Sequence, residues 1–124
     1  MKLTRSEEQL MEFIWEHGHV FLKDIIDSYP EPKPATTTIA TLLKRMQNKG
    51  FVAYNLMGNS RQYYALVKKS AYFSKHVNGL IKNFFGSSPM QFASFFTTET
   101  NLTAEELEDL KKIIDKELKR KKQW

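Results

Sequence analysis

Thr37, Thr38, Thr41, Lys44, Arg45 and Asn48 recur at the three- and four-residue steps that put side chains on one face of an α-helix. That face carries hydroxyls, methyls and cations, and no carboxylate. Such a set suits the major groove of DNA. A threonine methyl can meet the thymine methyl, its hydroxyl can bond a base edge or a phosphate, and an arginine can fork onto guanine. The same stretch is costly as a plain helix. Thr36-Thr37-Thr38-Ile39 is a run of β-branched residues, each less favourable than alanine by up to roughly 0.7 kcal/mol in a helix interior. A helix cap at Thr36 is the bland explanation, but it leaves Thr37, Thr38 and Thr41 without a reason.

Other chemistry is poorly supplied. The three histidines, His17, His19 and His76, offer only His17-x-His19 at a helix end, which is no metal spacing of note. Glu7-Glu8 and Glu105-Glu106 read as caps and first-turn charges, not as an acid–base pair. There is no cysteine, hence no disulfide, thiolate metal site or cysteine nucleophile, and no glycine-rich phosphate loop. The expectation is a non-enzymatic protein with no catalytic residue, metal or cofactor.

The elements that would hold the polar face can be read next. Ile39, Leu42, Leu43 and Met46 form its apolar reverse, and Gly50 sits where a left-handed residue closes a helix. Upstream, Thr4 and Glu7 form a capping box for a first helix that ends at His17-Gly18, with Leu10, Met11, Phe13, Ile14 and Trp15 apolar. Val20-Phe21 is a short apolar run, and a second helix from Leu22 to Tyr29 must stop before Pro30. Glu31-Pro32-Lys33-Pro34 is a stiff turn. Downstream, Phe51–Leu56 and Gln62–Val67 flank Met57-Gly58-Asn59-Ser60-Arg61, a β-hairpin with one cation at its tip. Three helices and such a hairpin make a winged helix-turn-helix, with the third helix (about 35–49) in the groove and the wing (about 57–62) on the backbone. Arg61 is then either a phosphate or minor-groove contact or a solvated turn charge.

From residue 70 the pattern changes. Ser70 caps a fourth helix whose stripe is Phe73, Val77, Leu80, Ile81, Phe84 and Phe85. Ser88-Pro89 starts a short helix with Met90, Phe92, Phe95 and Phe96. Thr103 and Glu106 then cap a last helix with Leu107, Leu110, Ile113, Ile114 and Leu118 on one side and a basic end. So many large apolar residues exceed what a tail of this length can bury alone. Either it folds back on its own domain or it pairs with a second copy, and a two-fold dimer matches a palindromic operator. The expected division is a DNA-binding domain at 1–69 and a helical dimerisation region at 70–124. The fold class is mainly α with a small β-hairpin.

Composition agrees. At 124 residues, 41% hydrophobic and 27% charged, the chain suits one globular domain with an appended segment. Without an apolar run near the ~20 residues of a membrane span or a signal-peptide core, a cytoplasmic protein with no membrane insertion is expected. The net charge of +5 is unevenly spread. Residues 1–31 carry −4, residues 32–98 hold nine cations and no acid, and residues 99–124 balance at seven of each. An acid-free stretch centred on the threonine-rich helix is an electrostatic footprint for phosphates.

These residues together resemble the penicillinase-repressor family of bacterial transcription regulators (BlaI/MecI/CopY). The likeness runs through Leu3-Thr4…Glu7…Leu10-Met11…Ile14-Trp15, then Thr38-Ile39…Thr41-Leu42-Leu43…Arg45-Met46…Lys49-Gly50-Phe51-Val52. It continues in Gly58…Arg61…Tyr63-Tyr64 and Leu102-Thr103…Glu106-Leu107…Leu110. The resemblance implies a homodimeric winged-helix repressor on an inverted-repeat operator, dimerised by C-terminal helices. The family's DNA contacts would fall on Thr37, Thr38, Ala40, Thr41, Lys44 and Arg45, Ala40 being shorter than the often basic residue of some relatives. In the antibiotic-responsive branch a membrane sensor's signal leads to cleavage in the dimer region. The matching place here is near Phe95-Phe96, where the best-known relatives carry asparagine before phenylalanine. The copper-responsive branch senses metal with C-terminal cysteines, which this chain lacks. Two other readings stay open: a winged helix released by a small ligand, and a winged interaction module that does not bind DNA.

Overall fold

The computed structural model describes residues 2–123 and divides the chain into two compact units, the first running to Ser74 and the second from Lys75. The first holds α1 (Arg5–His17), β1 (His19–Phe21), α2 (Leu22–Asp27), α3 (Thr36–Asn48), β2 (Val52–Met57) and β3 (Ser60–Ala65). It also takes the opening turns of α4 (Lys69–Phe84). The second holds the rest of α4, α5 (Pro89–Glu99) and α6 (Ala104–Lys122).

Local sequence explains most of the boundaries. In α1 the Thr4 hydroxyl accepts from the Glu7 amide at 3.2 Å, and the Glu7 carboxylate accepts from the Thr4 amide at 2.7 Å. The capping box is complete. Helix α3 ends on Gly50 (φ +81°), whose amide donates to the Gln47 carbonyl while the Phe51 amide donates to that of Met46. This is a Schellman closure, which glycine makes without strain. The wing turns on two residues, with Gly58 (φ +65°) in the first position as hairpins of the II′ kind require.

Several expectations are corrected. The bland alternative of a cap at Thr36 is excluded: the cap of α3 is Ala35, with no side-chain bond to the helix, and Thr36 is the first helical residue. The proline-stiffened turn sets where the helix begins, and Thr36 arrives one position too late to cap it. Helix α2 stops at Asp27, before Tyr29: Ser28 Oγ donates to the Ile25 carbonyl, and Lys33 Nζ donates to the Asp27 and Tyr29 carbonyls at 3.1 and 3.0 Å. Ser70 lies inside the first turn of α4, where the Lys68 carbonyl accepts from the Tyr72 amide. The hairpin also gains a third strand. The sheet order is β1-β3-β2, all antiparallel, with His19 opposite Tyr64 and Val20 opposite Tyr63 on one side. Val52 faces Ala65 and Leu56 faces Arg61 on the other. Three residues are too few to show period-two alternation, so β1 is fixed by its pairing partner.

The first unit closes on one core. Leu10, Met11 and Ile14 of α1 meet Ile25 of α2, Ile39, Leu43 and Met46 of α3, and Val52 of β2, all essentially inaccessible. Each such side chain contributes about 1.5–3 kcal/mol over leaving it in water. Tyr72 of α4 completes this unit. Its ring packs on Phe51 and Trp15, and its hydroxyl accepts from the Leu3 amide and donates to Glu8. In the second unit Phe85 packs on Phe92 and Phe95, and Phe92 stacks on Phe96. No described residue from Lys75 onward is buried.

Candidate nucleic-acid interface

Helix α3 buries Ile39, Leu42, Leu43 and Met46, which turns its opposite side outward. Thr37, Thr38, Ala40, Thr41, Lys44, Arg45 and Asn48 are all exposed or partly exposed. By helical spacing Thr37, Thr41, Lys44 and Asn48 share the middle of that face, with Thr38 and Arg45 on the flank toward Lys49 and Ala40 on the other. The six polar residues singled out from sequence therefore form one continuous surface.

Their hydrogen-bonding state is not uniform. Thr41 Oγ1 donates to the Thr37 carbonyl at 2.8 Å, one turn back. Its proton is thus used within the helix, and what it offers outward is a methyl and an acceptor lone pair. Arg45 approaches α1: its Nε lies 3.9 Å from Glu7 Oε2, with half of the side chain (53%) still exposed. Lys49 Nζ donates to the other oxygen of Glu7 at 2.6 Å and to the Lys2 carbonyl at 3.2 Å. Burial, the largest influence, raises the Glu7 carboxyl. The Lys49 ammonium and the Thr4 backbone and hydroxyl bonds outweigh it, and hold the group below the usual carboxylate range.

The acid-free stretch is not nine idle cations. Lys33 clasps the end of α2, Lys49 and Arg45 address Glu7, and Lys69 pairs with Glu12 at 3.0 Å. Among the described residues, the side chains of Lys44 and Lys68 make no hydrogen bond or ion pair, which leaves their charges open to a phosphate.

Arg61 lies on β3 opposite Leu56, its guanidinium 4.4 Å from the Tyr54 ring centre, an exposed cation–π contact. The ring steadies the charge near the wing tip, where Leu56 and Met57 are also exposed. A groove of about 350 Å³ beside it is lined by Arg61, Ser60, Asn59 and Tyr63 together with Phe21, Leu22 and Lys23. Lys23 thus shares a groove with the wing. Sequence reasoning missed it because only the β1–β3 pairing brings the start of α2 to the wing.

The side chains expected to pair with a second copy divide between the units. Phe73 packs against Trp15 and Tyr72 in the first unit, although 39% of it stays exposed. Val77, Leu80, Phe84, Phe95, Phe96, Leu107 and Ile114 are exposed, and Ile81, Phe85, Phe92 and Leu110 are partly buried. Among the described residues no group of histidines and carboxylates could hold a metal, and no helix is long and apolar enough to cross a membrane.

Comparison with known proteins adds a family. The family model described as Penicillinase repressor matches residues 3–116. The methicillin resistance regulatory protein MecI of Staphylococcus aureus (strain N315) is 26% identical over 116 residues, covering 93% of this chain and 94% of that protein. The penicillinase repressor of Bacillus licheniformis is 22% identical over 123 residues, covering 98% and 96%. Among solved structures, the DNA-binding domain of the repressor BlaI superposes with a TM-score of 0.51 at 24% identity, over 57% of this chain and 88% of that domain. A cysteine-to-serine mutant of MarR from E. coli gives 0.50 at 16% identity, over 94% and 79%. Both share the winged-helix fold.

Proposed function

The chain belongs to the penicillinase repressor family, a family of transcriptional repressors and not of enzymes, and from that premise we propose how it represses. It acts as a homodimer on an inverted-repeat operator in the cytoplasm. Helix α3 lies in the major groove with Thr37, Thr38, Ala40, Thr41, Lys44 and Arg45 against the duplex, and the wing sets Arg61 on the backbone. The observation that carries this reading is the outward face of α3, polar, cationic and without a carboxylate, on a helix whose other side is locked into the core.

Pairing runs through the apolar faces from α4 to α6, Val77, Leu80, Phe84, Leu107 and Ile114 among them. Support comes from the second unit's lack of any buried residue among those described and from its many exposed large apolar side chains, since apolar surface gathered in a patch marks an interaction site. Release by cleavage near Phe95-Phe96, triggered through an upstream membrane sensor, is the induction route this membership suggests.

The test is a salt titration of duplex binding by the full chain, using a duplex selected by the protein from a random-sequence pool and an unselected control. Affinity for both should fall linearly on a log–log plot, with a slope near −0.9 for each phosphate neutralised. In the same assay Arg45→Ala should weaken the selected duplex by about 1–3 kcal/mol more than the control, and Lys68→Ala should weaken both alike. No binding at low salt, or a flat titration, would sink the repressor reading in favour of an interaction module.

A further inference from the structure

We propose that Glu7 is a positioning residue for the DNA-reading helix: it holds the Lys49 end of α3 and tethers Arg45, so that Arg45 reaches a duplex from one direction only. The inference rests on the DNA-binding reading above and names a residue that itself touches no DNA.

The geometry is asymmetric. Glu7 is fully inaccessible, and its Oε1 takes both the Thr4 amide and the Lys49 ammonium, at 2.7 and 2.6 Å. Its Oε2 is buried with no hydrogen-bond partner, and Arg45 Nε is the cation facing it at 3.9 Å. A buried carboxylate oxygen without a donor is costly, so a charge close by is strongly favoured. The separation is too long for a hydrogen bond and short enough for a Coulombic hold. Because Nε is the atom that approaches Glu7, the two terminal nitrogens remain for the parallel pair of bonds that guanine or a phosphate accepts.

Arginine on an exposed helix face without such a tether samples many rotamers and meets phosphates on any sequence. Held at its Nε, it keeps one approach, and discrimination between sequences improves more than raw affinity does. Lys49, with its ammonium already occupied, stays off the duplex and anchors the last turn of α3 to the first turn of α1.

The experiment is a double-mutant cycle in the full chain with Glu7→Gln, Arg45→Ala and the double variant. The probes are the selected and unselected duplexes described above. Glutamine keeps the shape and the Oε1 acceptor, removes the charge and puts an amide donor where Oε2 stood, so nothing there holds Arg45. Glu7→Gln should reduce the ratio of selected to unselected affinity by roughly threefold to tenfold and steepen the unselected salt slope by about 0.9, one further phosphate contact. In the Arg45→Ala background the same change should leave the ratio unmoved. A loss that is equal on both duplexes, or that persists without Arg45, would show Glu7 to be a fold anchor only. Circular dichroism and a melting curve of Glu7→Gln separate that outcome from unfolding, and Lys49→Gln supplies a second perturbation of the same carboxylate. If the unmodified protein binds neither duplex, the DNA-binding reading fails first; if it binds and the cycle shows no coupling, only the role of Glu7 is lost.

Discussion

A carboxylate that is buried, hydrogen-bonded and flanked by cations has a measurable pH signature. Burial pushes Glu7 upward, but its bonds to Lys49 and Thr4 prevail, so the folded value lies below the 4.5 of an ordinary glutamate. The unfolded chain therefore takes up the proton first as pH falls. The stabilisation is fully present above the ordinary range and is lost as pH drops through the folded value. Melting temperature should fall below about pH 4.5, the ordinary glutamate value, and Glu7→Gln should show a shallower fall. Glu106 and Glu117 are also held low, by their bonds to Thr103 and Arg120, but both lie at the surface and are common to the two proteins. Identical pH profiles would mean that Glu7 is not the group that responds. At the same scale, the back-bond of Thr41 restricts its reading chemistry. With its proton committed to the Thr37 carbonyl, it can accept from an adenine or cytosine amino group or pack its methyl on thymine.

Among the elements, α3 is held by its surroundings more than by its own propensity. It opens with β-branched residues and has no side-chain cap, two features that each favour other conformations. What keeps it helical is the locked apolar side and the Schellman closure at Gly50. Replacing Ala35 by serine should supply the missing acceptor and raise stability by about 0.5–2 kcal/mol, seen as a higher melting temperature. No change would mean that the proline-stiffened turn holds residue 35 out of capping geometry. The uncapped threonine run, costly for stability, is consistent with side chains selected for what they touch outside the protein.

For the whole molecule, the two units differ in how their apolar residues are satisfied. The first has a closed core, whereas Val77, Leu80, Phe84, Met90, Leu107, Ile113, Ile114 and Leu118 of the second are exposed. A dimer built on these faces should be broken by charge. Ile114→Glu should shift sedimentation toward the monomer and weaken binding to an inverted-repeat duplex at least tenfold, while leaving binding to a single half-site little changed. Unaltered sedimentation would place the dimer contact elsewhere. Phe73 is expected to matter to both properties, because it also packs on Trp15 and Tyr72.

Sequence by itself determined the parts whose causes are local. The capping boxes at Thr4 and Thr103, the glycine closure of α3, the wing turn and the apolar stripes all follow from a few neighbouring residues. So did the polar face of α3, since helical spacing alone assigns sides. Tertiary structure decided whatever depends on which distant segments meet. It made a strand of His19–Phe21 by laying it on β3, set Lys23 beside the wing, buried Tyr72 against the first helix, and gave the capping Glu7 two further partners, Lys49 and Arg45. Long-range contacts have no period in the chain, and a carboxylate 42 residues from its lysine becomes legible only when folding has brought the two together.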